Sequence, residues 1–113
     1  MAEKELSCAE RIQAALETEL EEIREAGESV DATEQYEEGI LEIDRRVCFK
    51  VLLSTGGPES FFTFVCDRHD GEILEIRFHF RDWFDGAEKR LFYEEFETVR
   101  SQYQSMMECL VLT

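Results

Sequence analysis

Apolar residues at Ile12, Leu16, Leu20 and Ile23 recur at the spacing of one helical face. Ser7-Cys8-Ala9-Glu10 forms a Ser-x-x-Glu capping box ahead of them, and Gly27 supplies a stop. The spacing predicts a helix from Cys8 to about Ala26. Its apolar stripe seeks a core, and Glu10, Glu17, Glu21 and Glu25 line the opposite face. Residues 28–38 show little periodicity and read as a connecting segment. Beyond them the period changes from helical to alternating. Residues 39–44 (GILEID) are a short strand candidate. In residues 47–54, Val47, Phe49, Val51 and Leu53 alternate with Cys48, Lys50 and Leu52. Residues 55–58 (TGGP) turn the chain, residues 60–66 (SFFTFVC) form the next strand, and residues 67–71 (DRHDG) carry the Asp-Gly hairpin signal. Residues 72–80 alternate most cleanly, with Leu74, Ile76, Phe78 and Phe80 against Glu75, Arg77 and His79. Residues 81–90 read as a loop broken at Gly86. A second helix spans about Tyr93 to Cys109, with Phe92, Phe96, Val99, Tyr103 and Met106 as its apolar stripe.

The order predicts an α+β fold. A three- to four-stranded antiparallel sheet carries an N-terminal and a C-terminal helix packed on one face, in α-β-β-β-α order. With 113 residues the expectation is a single domain over 1–113. No strand-helix-strand crossover is visible, which argues against a parallel nucleotide-binding sheet.

Composition adds charge to this picture. The chain has 27 acidic and 12 basic residues, a formal net charge of −15. Such a balance opposes direct binding to nucleic acid or to an anionic membrane. Residues 1–44 hold 15 acids against 3 bases, and residues 45–113 hold 12 against 9. The surplus is therefore concentrated toward the N-terminus. No apolar run reaches the roughly 18–20 residues of a membrane span, and the first residues lack the pattern of a signal peptide. Cys8, Cys48, Cys66 and Cys109 are far apart and read as reduced thiols. Of these, Cys48, Cys66 and Cys109 are expected to act as small core hydrophobes. The expected location is the cytoplasm, that of a host cell if a phage encodes the chain.

Candidate chemistry is sparse. Cys66 and His69 have Cys-x-x-His spacing without a second ligand pair, so no metal site is expected. The same pair lacks surroundings that would activate a thiol. Asp82 and Asp85 bracket Trp83 and Phe84, which could desolvate the carboxylates. The plainer account is that Asp85-Gly86 makes a turn while the aromatics cap the core. Residues 55–58 lack the Gly-Lys-Ser/Thr ending of a phosphate loop. The expectation is a non-enzymatic protein without a cofactor.

The stretch Val51-Leu52-Leu53-Ser54-Thr55-Gly56-Gly57-Pro58, with Asp82-Trp83-Phe84-Asp85-Gly86-Ala87 about 25 residues later, resembles small uncharacterised proteins of phages, plasmids and other mobile elements. The resemblance spans residues 47–90 and implies a mobile-element context, not an activity. Together with the charge it predicts an inhibitor of a host nucleic-acid-binding defence system, of anti-CRISPR or anti-restriction type. Glu10, Glu17, Glu21 and Glu25 would face a basic site on a protein partner. The alternative is a dimerising accessory protein whose apolar interface includes Phe61, Phe62, Trp83 and Phe84. The chain is expected to be a monomer or a homodimer.

Overall fold

A computed structural model describes residues 6–113. The chain divides into two compact units, Met1–Ile43 and Asp44–Thr113.

The first unit contains α1 (Cys8–Ala26) and α2 (Val30–Glu38). Ser7 caps α1 by accepting a hydrogen bond from the Glu10 N–H at 3.2 Å, while the Ser7 hydroxyl donates to the Glu10 carboxylate at 2.9 Å. The predicted Ser7 cap is in place, and Glu10 answers it through the Ser7 hydroxyl. Ser29 caps α2 by accepting from the Ala32 N–H at 3.0 Å, and Gly39 ends it. The two helices meet where the Thr33 hydroxyl donates to the Ala26 carbonyl at 2.6 Å. Ala26 is buried there. Expectations change for two segments in this part of the chain. The segment 28–38 is largely helix: it has the cap and stop of a helix but too few apolar positions to show a period. The side chains of Ile12, Leu16, Leu20 and Ile23 are exposed. Residues 39–44, read as a short strand, form no strand.

The second unit is a four-stranded antiparallel sheet of order β1-β2-β3-β4 with one helix. Its elements are β1 (Arg46–Ser54), β2 (Glu59–Asp67), β3 (Ile73–Asp82), β4 (Asp85–Arg90) and α3 (Tyr93–Leu112). Val51, Phe62 and Phe78 lie abreast in the register, as do Phe49, Phe64 and Ile76. These rows form the face covered by α3. Phe64, Cys66, Ile76 and Met107 are fully buried, and Phe96, Val99, Tyr103 and Val111 pack against them. Burying a Phe or Ile side chain contributes about 1.5–3 kcal/mol, so this cluster holds the unit together.

The predicted stripe of α3 needs one adjustment. Met107, not Met106, reaches the core, because residues 96, 99, 103, 107 and 111 keep to one face at 3.6 residues per turn. Phe92 precedes the helix and is exposed. A register irregularity between Val65 and Cys66 sets Cys66 opposite Ile73, so Ile73 takes the core position expected for Leu74.

The β2–β3 turn is pinned by the Asp67 carboxylate, which accepts from the His69 N–H at 2.7 Å and the Asp70 N–H at 3.3 Å. These bonds hold the Asp67 pKa below its ordinary value. Gly71 completes the turn with φ of +77°. Gln104 ties α3 to it, donating to the Gly71 carbonyl at 2.8 Å and accepting from the Ile73 N–H at 3.0 Å.

The segment 81–90 is not a loop. It forms the end of β3, a two-residue turn at Trp83-Phe84, and β4. Asp82 and Asp85 are the closing pair of that hairpin. Trp83 has φ of 54°, the sign that primed hairpin turns need at their first loop residue. The turn is therefore made by the aromatics, not by Asp85-Gly86.

Candidate functional site

The acidic row of α1 is built by helical spacing. Residues four apart recur about 6 Å along the axis, at a rise of about 1.5 Å per residue. Glu17, Glu21 and Glu25 keep that interval, with Glu10 about two turns earlier, and all four are exposed. The Glu10 carboxylate accepts from the Ser7 hydroxyl, and Glu17 accepts from Gln13 at 3.1 Å. Glu19 and Glu22 add carboxylates to α1, while Asp31, Glu34, Glu37 and Glu38 line α2. The acids of α2 were hidden in a stretch read as connecting chain. The signals that could have found them are the Ser29 cap and the Gly39 stop. Residues 6–43 carry 12 acids and two bases, and among the described residues none of them takes part in an ion pair. The Tyr36 hydroxyl donates to Glu19 at 3.2 Å. That bond first, then partial desolvation and the charges of Glu19 and Glu22, raise the Tyr36 pKa.

The second unit treats its charges differently. The sheet face away from α3 carries Lys50 on β1, Arg77, His79 and Arg81 on β3, and Glu88 and Arg90 on β4. Arg77 lies 3.3 Å from Glu75 and 3.9 Å from Glu88, Arg90 lies 3.1 Å from Glu75, and Lys50 lies 3.4 Å from Glu59. His79 is not the isolated residue its sequence position suggests. Its Nε2 lies 3.0 Å from the Thr63 hydroxyl and its Nδ1 lies 3.4 Å from Glu88. Its ring stacks on Phe61 with centroids 4.3 Å apart. Both ring nitrogens have partners, and the cluster ties β2, β3 and β4 together on this face.

The four aromatics proposed as an apolar interface do not share a surface. Phe61 is on the face away from α3 but only 4% exposed, covered by His79, with Lys50 and Arg81 over its ring at 4.3 and 5.3 Å. Phe62 is on the α3 face, its centroid 5.2 Å from that of Phe78 and 5.9 Å from that of Tyr103. Trp83 and Phe84 stand at the hairpin tip, 92% and 104% exposed. They do not cap the core, and they leave Asp82 and Asp85 in water.

The remaining candidates also resolve. Cys66 is buried, which pushes its thiol up to about 11, away from the nucleophilic thiolate. Its neighbour in the spacing, His69, is exposed on the turn. Cys48 and Cys109 are exposed, contrary to the expectation of core roles. Cys48 falls on the sheet face away from α3, and Cys109 falls outside the helix stripe. Among the described residues no group of three His, Cys, Asp or Glu is placed to hold a metal, and no helix is long and apolar enough to cross a membrane. No protein-family model, curated protein or solved structure matches the chain.

Proposed function

We propose that this chain is a non-enzymatic binding protein whose acidic helical unit occupies a basic, nucleic-acid-binding site on a host defence protein, as an anti-CRISPR or anti-restriction inhibitor does. One observation carries the reading: the carboxylates of the first unit are exposed and free of ion pairs among the described residues, whereas those of the sheet face are paired with arginines and lysine. A solvated helix that needed charge only for solubility gains from i,i+4 pairs with Lys or Arg. Among residues 6–43 there are two bases, Arg11 and Arg24, and neither takes part in an ion pair among the described residues. Carboxylates repeating about every 6 Å along a helix present a line of negative charge to a groove built for phosphates spaced about 3.4 Å per strand. Opposite potentials then speed the encounter. The stretches Val51–Pro58 and Asp82–Ala87, whose resemblance to mobile-element proteins implies a mobile-element context, support a partner among host defences.

The test is a DNA-binding assay on two purified targets, an RNA-guided nuclease complex and a restriction endonuclease. The expected result is loss of DNA binding by at least one of them, with formation of a complex that weakens as salt rises. Reversing Glu17, Glu21 and Glu25 to Lys should abolish it. Inhibition that survives the triple reversal unchanged overturns the reading.

A further inference from the structure

The outer strand of the sheet is short and charged, but in the order β1-β2-β3-β4 the far edge of β4 has no strand neighbour among the described residues, and every residue from Asp85 to Arg90 is exposed. The Leu91 N–H donates to the Ile76 carbonyl at 2.9 Å. Because ladder bonds alternate along an antiparallel strand, Gly86, Glu88 and Arg90 direct their backbone groups outward. No proline or register shift blunts this edge. At one end of β4 stand the fully exposed rings of Trp83 and Phe84. At the other end, on the α3 side, lies an open groove of about 530 Å³ walled by Phe62, Phe78, Leu91 and Val99, with Lys89 at its margin.

We propose that two copies of this chain pair antiparallel through β4 about a two-fold axis, each hairpin tip entering the groove of the other copy. The axis must stand perpendicular to the sheet, so residues facing one another across it lie on the same side. Two registers then overlap the strand most fully. One is centred on Glu88 and sets two like carboxylates against each other, which is unfavourable. The other is centred on Ala87. It sets Asp85 opposite Lys89 of the second copy, twice, and Gly86 opposite Glu88. It also carries Trp83 to Leu91 of the second copy, a wall of the groove. The Lys89 bridge to Glu95, 3.0 Å long, is solvent-exposed and weak enough to yield.

Two Trp83 rings, at about 150–250 Å² each, remove about 300–500 Å² from water and cover a similar area of groove wall, and the paired β4 strands and the two Asp85–Lys89 contacts supply the rest of the interface. Net charge does not prevent it, since residues 45–113 hold 12 acids against 9 bases. The inference is independent of the acidic helices, and reversing Glu17, Glu21 and Glu25 leaves this pairing in place.

Sedimentation of the full chain across a concentration series tests the proposal, with the emission of Trp83, the one tryptophan, recorded alongside. The expected result is a dimer at micromolar concentration, with Trp83 emission shifting to the blue as it forms. Asp85→Lys weakens the dimer about tenfold or more, and the double variant Asp85→Lys, Lys89→Asp restores it. Trp83→Ala dissociates the dimer while the far-ultraviolet circular dichroism of the fold is kept. A chain that stays monomeric up to about 0.5 mM, far above a micromolar dissociation constant, overturns the proposal. So does a dimer whose Trp83 emission remains that of a water-exposed indole, or one that the double variant fails to restore.

Discussion

Replacing Gly71 by alanine tests how α3 is seated on the sheet. A Cβ on Gly71 would stand 2.7 Å from the Cα of Glu108, 3.1 Å from its nitrogen and 3.2 Å from the carbonyl oxygen of Met107. All three are backbone atoms, so no side chain can rotate away. Two costs add. The φ of +77° is disfavoured for an L-residue by about 1–2 kcal/mol. Overpacking against a helix backbone costs about 1–3 kcal/mol more. The loss of chain entropy in the unfolded state returns about 0.4–1 kcal/mol, leaving a net destabilisation of about 1–5 kcal/mol. Gly56 is the internal control. It has φ of +83° with nothing within 4 Å of the added carbon, so Gly56→Ala carries the backbone term alone, about 1 kcal/mol. Native-state hydrogen exchange at the amides of Phe64 and Ile76, in the core of the sheet unit, reads the opening free energy of this unit without mixing in the helices. If Gly71→Ala and Gly56→Ala cost the same within about 0.5 kcal/mol, α3 does not rest on the turn and the close approach is not real.

Other predictions follow from the same packing. Gln104→Leu strands the Gly71 carbonyl and the Ile73 N–H and should cost about 1–3 kcal/mol, read by the same exchange measurement. A thiol reagent at neutral pH should modify Cys8, Cys48 and Cys109 quickly, and Cys66 only after denaturation. The Asp67 pKa is depressed by turn N–H groups, so its contribution to stability is complete above the unfolded value near pH 4 and is lost as pH falls through the folded value. The stability difference between the native chain and Asp67→Asn should therefore shrink in acid urea titrations. Trp83→Gly should leave stability within about 0.5 kcal/mol, because relief of the positive φ offsets the added chain entropy.

The parts of the fold legible in the sequence are those where burial and period coincide. β2 and β3 alternate because one face meets α3 and the other meets charged neighbours, and both strands lie close to the positions their alternation predicts. β4 was not legible. Asp-Gly-Ala-Glu-Lys-Arg has no apolar rhythm and little strand propensity, and it becomes a strand through the register it inherits from β3. The Asp-Gly pair drew attention to the wrong turn, since φ is positive at Trp83 and Gly86 lies within the strand. The helix α2 failed for a related reason: nine residues with little burial leave no period to read. In the candidate site, exposure of the glutamates follows directly from their charge and their helical spacing. The aromatic grouping was a different matter. Phe61 and Phe62 are adjacent on one strand and must point to opposite faces, so no shared interface was available to them.

The carboxylates of the helical unit have a consequence for how this chain can change over time. They hold no arginine or lysine in place among the described residues, so their replacement carries almost no folding penalty, within about 0.5 kcal/mol for an exposed position. Selection acting on that surface is therefore free of selection for stability. The surface of the helical unit can be substituted at little cost in stability, whereas Phe64, Ile76 and Met107 are fully buried and leave little room for change in the sheet unit.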